Sequence, residues 1–239
     1  MLPAPNMDHF ISLRLENKES NLFRHDGFPL LYFPAFHPYR RRVGIKESGP
    51  IIMPFYLLGQ GGRKHSFDVE DFDAVISLAT HAMAGTPEAI LEHTNSSTGW
   101  QNFWLNGRKT GEIGMMVYVA GERGIPMIMV SGDDKACREA EELVPGIVTA
   151  CVKWGLACEG GRLLSAQRAH SLLTEKAAEA VRKIPQIRPV ALEPPITARL
   201  EVVSRGRLPV RGEKPYVKII DGRTYEVTGD TVQEAIARL

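Results

Sequence analysis

From residue 72 onward, short apolar runs alternate with amphipathic stretches. Ala74–Thr80 is apolar at nearly every position, the pattern of a strand buried on both faces. Residues 102–105 form a shorter strand, closed by an Asn106-Gly107 pair suited to a tight hairpin. Over residues 111–121, Ile113, Met116, Val117 and Ala120 recur at helical spacing, and Gly121 or Gly124 ends the run. Residues 126–131 are a further apolar strand. Residues 133–143 read as a helix with an Asp at its start and Pro145 just beyond it. Residues 147–152 are a third apolar strand. Residues 165–183 form a long helix with Ala169, Leu172, Leu173, Ala177, Ala180, Val181 and the adjoining Ile184 on one side. Strands alternating with helices predict a layered α/β domain.

The two ends read differently. Residues 1–67 are rich in Pro, Arg and aromatics and have no clean helix period. Residues 28–36 and 51–58 have strand character, but Pro29, Pro34, Pro50 and Pro54 interrupt them, and proline confines a strand to an edge. At the other end, residues 187–195 are a proline-containing linker. Residues 198–203 then alternate like a half-exposed strand. Residues 216–220 and 224–227 flank an Asp221-Gly222 turn, and residues 231–239 form a short helix.

Composition narrows the class. The chain has 239 residues, 44% apolar and 24% charged, enough to bury a core without disulfides or structural metal. A net charge of +1 offers no electrostatic footprint for nucleic acid, and Arg40-Arg41-Arg42 and Arg63-Lys64 read as solvated surface. No apolar run is long enough to span a membrane, and residues 1–10 lack the pattern of a signal peptide. Cys137, Cys151 and Cys158 form no paired framework, which points to a reducing compartment, the cytoplasm. Cys137 and Cys151 lie in apolar company and read as packing residues.

The candidate chemistry lies between Phe72 and Asp134. His81 follows the first apolar strand, His93 follows a Gly-Thr-Pro turn, and Glu112 opens the first helix. Imidazole and carboxylate at the ends of buried elements are what a catalytic metal site uses, although on spacing alone three such residues often mean nothing. At a helix start, the positive end of the dipole favours the charged form of Glu112. Asp133 and Asp134 read as N-cap and first-turn carboxylates. His170 reads as an exposed polar residue, and Trp100, Phe103 and Trp104 as core or interface aromatics. The glycine-rich pieces 59–62 and 159–161 read as turns.

The segments THAMAGTPEAILEHT, LNGRKTGEIGMMVYVAGERGIPMIMVSGDD and AEELVPG occur in that order, with a weaker echo in GRLLSAQRAHSLLTEKAAEAV. Together they resemble the zinc-dependent D-aminopeptidases of the dipeptide-transport-operon type, over roughly residues 70–239. The resemblance implies two zinc ions and release of N-terminal D-amino acids from short peptides. It also implies a cytoplasmic, ring-like homo-oligomer. His81 falls on a metal-ligand histidine in H-A-x-A-G-T, and Glu112 on a ligand glutamate in N-G-x-x-x-G-E. His93 falls on the active-site histidine that is not a ligand. A proton-carrying or oxyanion-stabilising role suits it, because activated water already supplies the nucleophile. The resemblance also places Asp133 and Asp134 close to the site, which leaves a supporting role open for them beside the capping one.

The chain also departs from the family pattern. No Ser-x-Asp-x-Glu-Gly strand occurs in it, and Met116-Val117 stands where Asn-Ala is usual. The family's further histidine ligand, in Asp-Ser-His-Gly, has only His37 and His65 as counterparts, with different neighbours. Of the two, His37 is the better placed as a metal ligand, but its proline-flanked setting fits a surface residue better than a ligand. A hydrolase and a non-catalytic member acting as an oligomeric scaffold or peptide-binding protein therefore both stand. The fold expected is α/β: a layered α/β/α domain with a mixed sheet over residues 68–186. A small C-terminal α+β segment (187–239) and an atypical, poorly ordered N-terminal segment (1–67) flank it.

Overall fold

The computed structural model describes residues 9–13, 53–55, 73–210, 212 and 214–239, with side chains from residue 73 onward. Its elements begin with β1 (His9–Leu13), β2 (Met53–Phe55), β3 (Ala74–Thr80), β4 (Trp100–Leu105) and β5 (Arg108–Lys109). Then come α1 (Glu112–Gly121), β6 (Met127–Asp133), α2 (Asp134–Leu143), β7 (Val148–Ala157), β8 (Gly160–Leu163) and α3 (Ala166–Lys183). The chain closes with β9 (Ile196–Val202), β10 (Val217–Ile219), β11 (Thr224–Gly229) and α4 (Val232–Ala237).

The strands form two sheets. The first has the order β2-β1-β3-β6-β7-β8. Its centre is parallel, β3 to β6 and β6 to β7, and its flanks are antiparallel. The expected mixed α/β architecture is therefore present. Parallel neighbours need a crossover, and α2 supplies the one between β6 and β7. The central strands are buried almost throughout, which is why β3 and β6 read as continuous apolar runs rather than alternating ones. Each fully buried side chain such as Ile128 or Val130 contributes roughly 1.5–3 kcal/mol.

The second sheet is antiparallel, with the order β10-β11-β9-β4-β5. It joins the hairpin before α1 to the C-terminal strands. Phe103 is fully buried there, its ring centroid 5.3 Å from that of Trp100, so these aromatics pack the core as expected. All ten residues of α1 are buried, so its spacing pattern understates how completely it is enclosed.

One local expectation is overturned. Gly160 and Gly161 do not complete a turn but open β8, after a turn at Cys158-Glu159. A β-carbon at Gly161 would lie 2.5 Å from the Trp154 carbonyl oxygen and 2.6 Å from Ile90 Cδ1. Close packing, not a bend, accounts for glycine at this position. Among the described residues, no helix is long and apolar enough to cross a membrane.

Candidate metal centre

The site lies where β3 ends, α1 begins and the intervening loop folds between them. β3 and β6 approach closely at this point: a β-carbon on Gly132 would lie 2.2 Å from the Thr80 carbonyl oxygen. Ala79 adopts a left-handed φ of 59°, and its N–H donates to Ser131 Oγ at 3.0 Å. The strand thus ends with an irregular register and delivers His81 into the loop. Glu112 arrives from the other side as the first residue of α1, where the free N–H groups and helix dipole favour a carboxylate.

The structure brings all three residues of the central prediction together. His81 Nε2 lies 3.8 Å from Glu112 Oε1, and His93 Nε2 lies 4.0 Å from the same oxygen. The two imidazoles stack with centroids 3.7 Å apart. One potential ligand atom from each of the three residues falls within 4.8 Å of the others. His81 and Glu112 are buried, and the His93 side chain remains 20% exposed.

The other ring nitrogens define the tautomers. His81 Nδ1 lies 3.0 Å from the Ala82 carbonyl oxygen, and His93 Nδ1 lies 2.8 Å from the Leu91 carbonyl oxygen. A carbonyl only accepts, so in each neutral ring Nδ1 is the donor and Nε2 keeps its lone pair. Both lone pairs are on the nitrogens nearest Glu112. This is how backbone carbonyls orient histidine ligands, and a nitrogen-and-carboxylate donor set suits zinc. Glu112 Oε1 also accepts a hydrogen bond from the Asn95 N–H, which ties the carboxylate to the loop.

Two polar side chains hold the loop beyond His81. Glu139 Oε2 accepts from the Met83 N–H at 2.8 Å, and Thr94 Oγ1 from the Ala84 N–H at 3.1 Å. Burial pushes the Glu139 carboxyl up to about 7, against the opposing pull of the Met83 hydrogen bond and His81. Motif reading missed Glu139 because α2 looks polar. Its spacing from Ala136 and Leu143, three residues on and four residues before, nevertheless puts it on the buried face.

The remaining expected residues stand apart from this cluster. Asp133 caps α2 as expected, accepting from the Ala136 N–H. Met116 is buried one turn beyond Glu112. Burial pushes the Cys137 thiol up to about 12, which fits a packing residue rather than a nucleophile. His170 is exposed on α3. His37, His65, Arg40–Arg42 and Arg63-Lys64 lie outside the described residues.

Known proteins resemble this chain over most of its length. The family model described as D-aminopeptidase matches residues 65–239. A D-aminopeptidase of Bacillus subtilis (strain 168) is 34% identical over 155 residues, covering 65% of this chain and 56% of that protein. A solved structure is described as the Zn-dependent D-aminopeptidase DppA from Bacillus subtilis, a self-compartmentalizing protease. It matches with a TM-score of 0.66 and 32% identity, over 71% of this chain and 62% of that one. The chain thus spans little more than half the length of the curated relative. With most of its residues under the family model and the motif residues gathered in space, this chain belongs to the D-aminopeptidase family.

Proposed function

We propose that this protein is a metallo-aminopeptidase that releases N-terminal D-amino acids from short peptides, with zinc held by His81 and Glu112. The observation that carries the reading is the convergence of His81, His93 and Glu112 within 4.8 Å at one buried-to-exposed boundary. Zinc bound by these residues would supply Lewis acidity, for the scissile carbonyl and for activating water near neutral pH. His81 offers the Nε2 lone pair, and Glu112 offers charge held in place by the helix start and the Asn95 N–H. His93 is the more accessible imidazole. Its Nε2 takes a proton from the attacking water, and the Nε2–H so formed donates to the developing oxyanion or returns the proton to the leaving amine.

Metal analysis and a hydrolysis assay on the purified protein test this directly. We expect near-stoichiometric zinc and release of D-alanine from a D-alanyl dipeptide. His81→Ala loses both. His93→Gln keeps the zinc and loses about 10²–10⁴ in kcat, the usual share of a positioned acid or base. Equal zinc loss in the two variants would contradict the separate roles.

The proposal extends to assembly and location. A ring-like homo-oligomer matches the self-compartmentalizing description of DppA, and light scattering on the purified protein tests it. The cytoplasm is the proposed compartment, on the odd cysteine count. A second reading, a scaffold or peptide-binding member that no longer hydrolyses, rests on the lack of Ser-x-Asp-x-Glu-Gly in these residues. The spacing Ser66-x-Asp68-x-Glu70 does occur, followed by Asp71 instead of glycine, and lies outside the described residues. A stable, metal-free protein without hydrolysis would favour this second reading.

A further inference from the structure

The loop that carries His93 is fastened by the same carboxylate that caps α2. Asp133 ends β6 and is fully buried. Its Oδ1 accepts from the Ala136 N–H at 2.8 Å, which is the cap of α2. Its Oδ2 accepts from the Ile90 N–H at 2.7 Å, across to the His93 loop. Each carboxylate oxygen therefore has a different backbone donor.

Ile90 is followed by a constrained residue. Leu91 has a φ of 54°, a left-handed conformation that costs a side-chain-bearing residue on the order of 1 kcal/mol. The Leu91 N–H donates to the Cys158 carbonyl at 2.7 Å, and the Leu91 carbonyl accepts from His93 Nδ1 at 2.8 Å. Donors at Ile90 and Leu91 are thus both held while the carbonyl of Leu91 receives the imidazole. The β7–β8 hairpin closes over the same segment. A β-carbon on Gly155 would lie 2.0 Å from the Glu88 carbonyl oxygen.

We propose that Asp133 is a positioning residue for His93: by holding Ile90 it orients the Leu91 carbonyl, which keeps the His93 proton on Nδ1 and the Nε2 lone pair toward Glu112. The inference rests on the reading of His93 as the proton carrier. The role requires two acceptors in a short side chain, which only aspartate provides. Asparagine has one acceptor and one donor group, so it cannot satisfy both N–H groups. It caps helices as well as aspartate does, so the capped orientation keeps α2 intact and leaves the Ile90 N–H without its acceptor.

The test compares the wild type with Asp133→Asn and Asp133→Ser, both of which retain a capping oxygen. Zinc content, thermal stability, steady-state hydrolysis of a D-alanyl dipeptide and ¹⁵N NMR of labelled histidine rings are measured. The His93 signals are assigned by their loss in His93→Gln. The expected result is a folded, zinc-containing protein whose kcat falls at least about tenfold with KM little changed, as when a proton carrier is misaligned. The His93 ring should shift from a pure Nδ1–H tautomer to a mixture. An unchanged tautomer, a kcat loss that merely tracks lost zinc, or unfolding of both variants would overturn the proposal. If the wild type does not hydrolyse the dipeptide, the peptidase reading fails separately, and the tautomer measurement still decides the role of Asp133.

Discussion

The loop that carries His81 is held by Glu139 at a cost in stability. His81 needs its loop fixed, and Glu139 fixes it by accepting the Met83 N–H. That carboxylate pays a desolvation penalty, which raises its pKa from 4.5 to about 7. Between those values the folded protein retains a proton that the unfolded chain has released. Its contribution to stability is therefore fully present below about pH 4.5 and is lost as pH rises through 7. Glu139→Gln keeps an acceptor for Met83 and removes the charge. In metal-free protein, the unfolding free energy of the variant relative to wild type should rise between pH 5 and pH 7.5, by at most a few kcal/mol. Urea titrations across that range check the sign. A difference that is flat or falls with pH would remove the buried charge from the account.

At the scale of elements, the sequence was most legible where burial is two-sided or the helix signals agree. β3 spans the same residues as its apolar run, and the helices expected at 111–121, 133–143 and 165–183 begin one residue later, after their N-caps. β8 was not legible, because Gly160-Gly161 signals a turn unless the carbonyl of Trp154 and the side chain of Ile90 are known to lie against it. The site divides in the same way. His81, His93 and Glu112 carry motif spacing, whereas the bond from Asp133 to Ile90 joins residues with no shared local pattern. Gly132 belongs to the second kind. Its missing side chain lets β6 pass the end of β3, with the Thr80 carbonyl 2.2 Å from where a β-carbon would sit. Gly132→Ala must push backbone from backbone beside His81. We expect a loss of about 1–3 kcal/mol or more by urea denaturation, together with weaker zinc binding. Unchanged stability and zinc affinity would mean that the strands part without disturbing the site.

For the whole molecule, the site lies at a junction of elements. β3 belongs to the first sheet, the chain then forms β4 and β5 of the second, and α1 returns to pack against β3, β6, α2 and α4. His81 and Glu112 stand at the two ends of that excursion. A metal held by both residues would close it, and a ligand that binds only the folded state stabilises that state by mass action. At zinc about a thousandfold above its dissociation constant the gain is about 4 kcal/mol. For a chain of this size that corresponds to roughly 8–16 °C in Tm. Chelation of the wild type should therefore lower Tm by that order, and restoring zinc should reverse it. In His81→Ala the melting temperature should be low from the outset and insensitive to chelator. His93→Gln should respond like wild type, because its imidazole is assigned to the proton and not to the metal. If all three proteins melt alike with and without chelator, the metal makes no link between the end of β3 and the start of α1, and the centre proposed here does not exist.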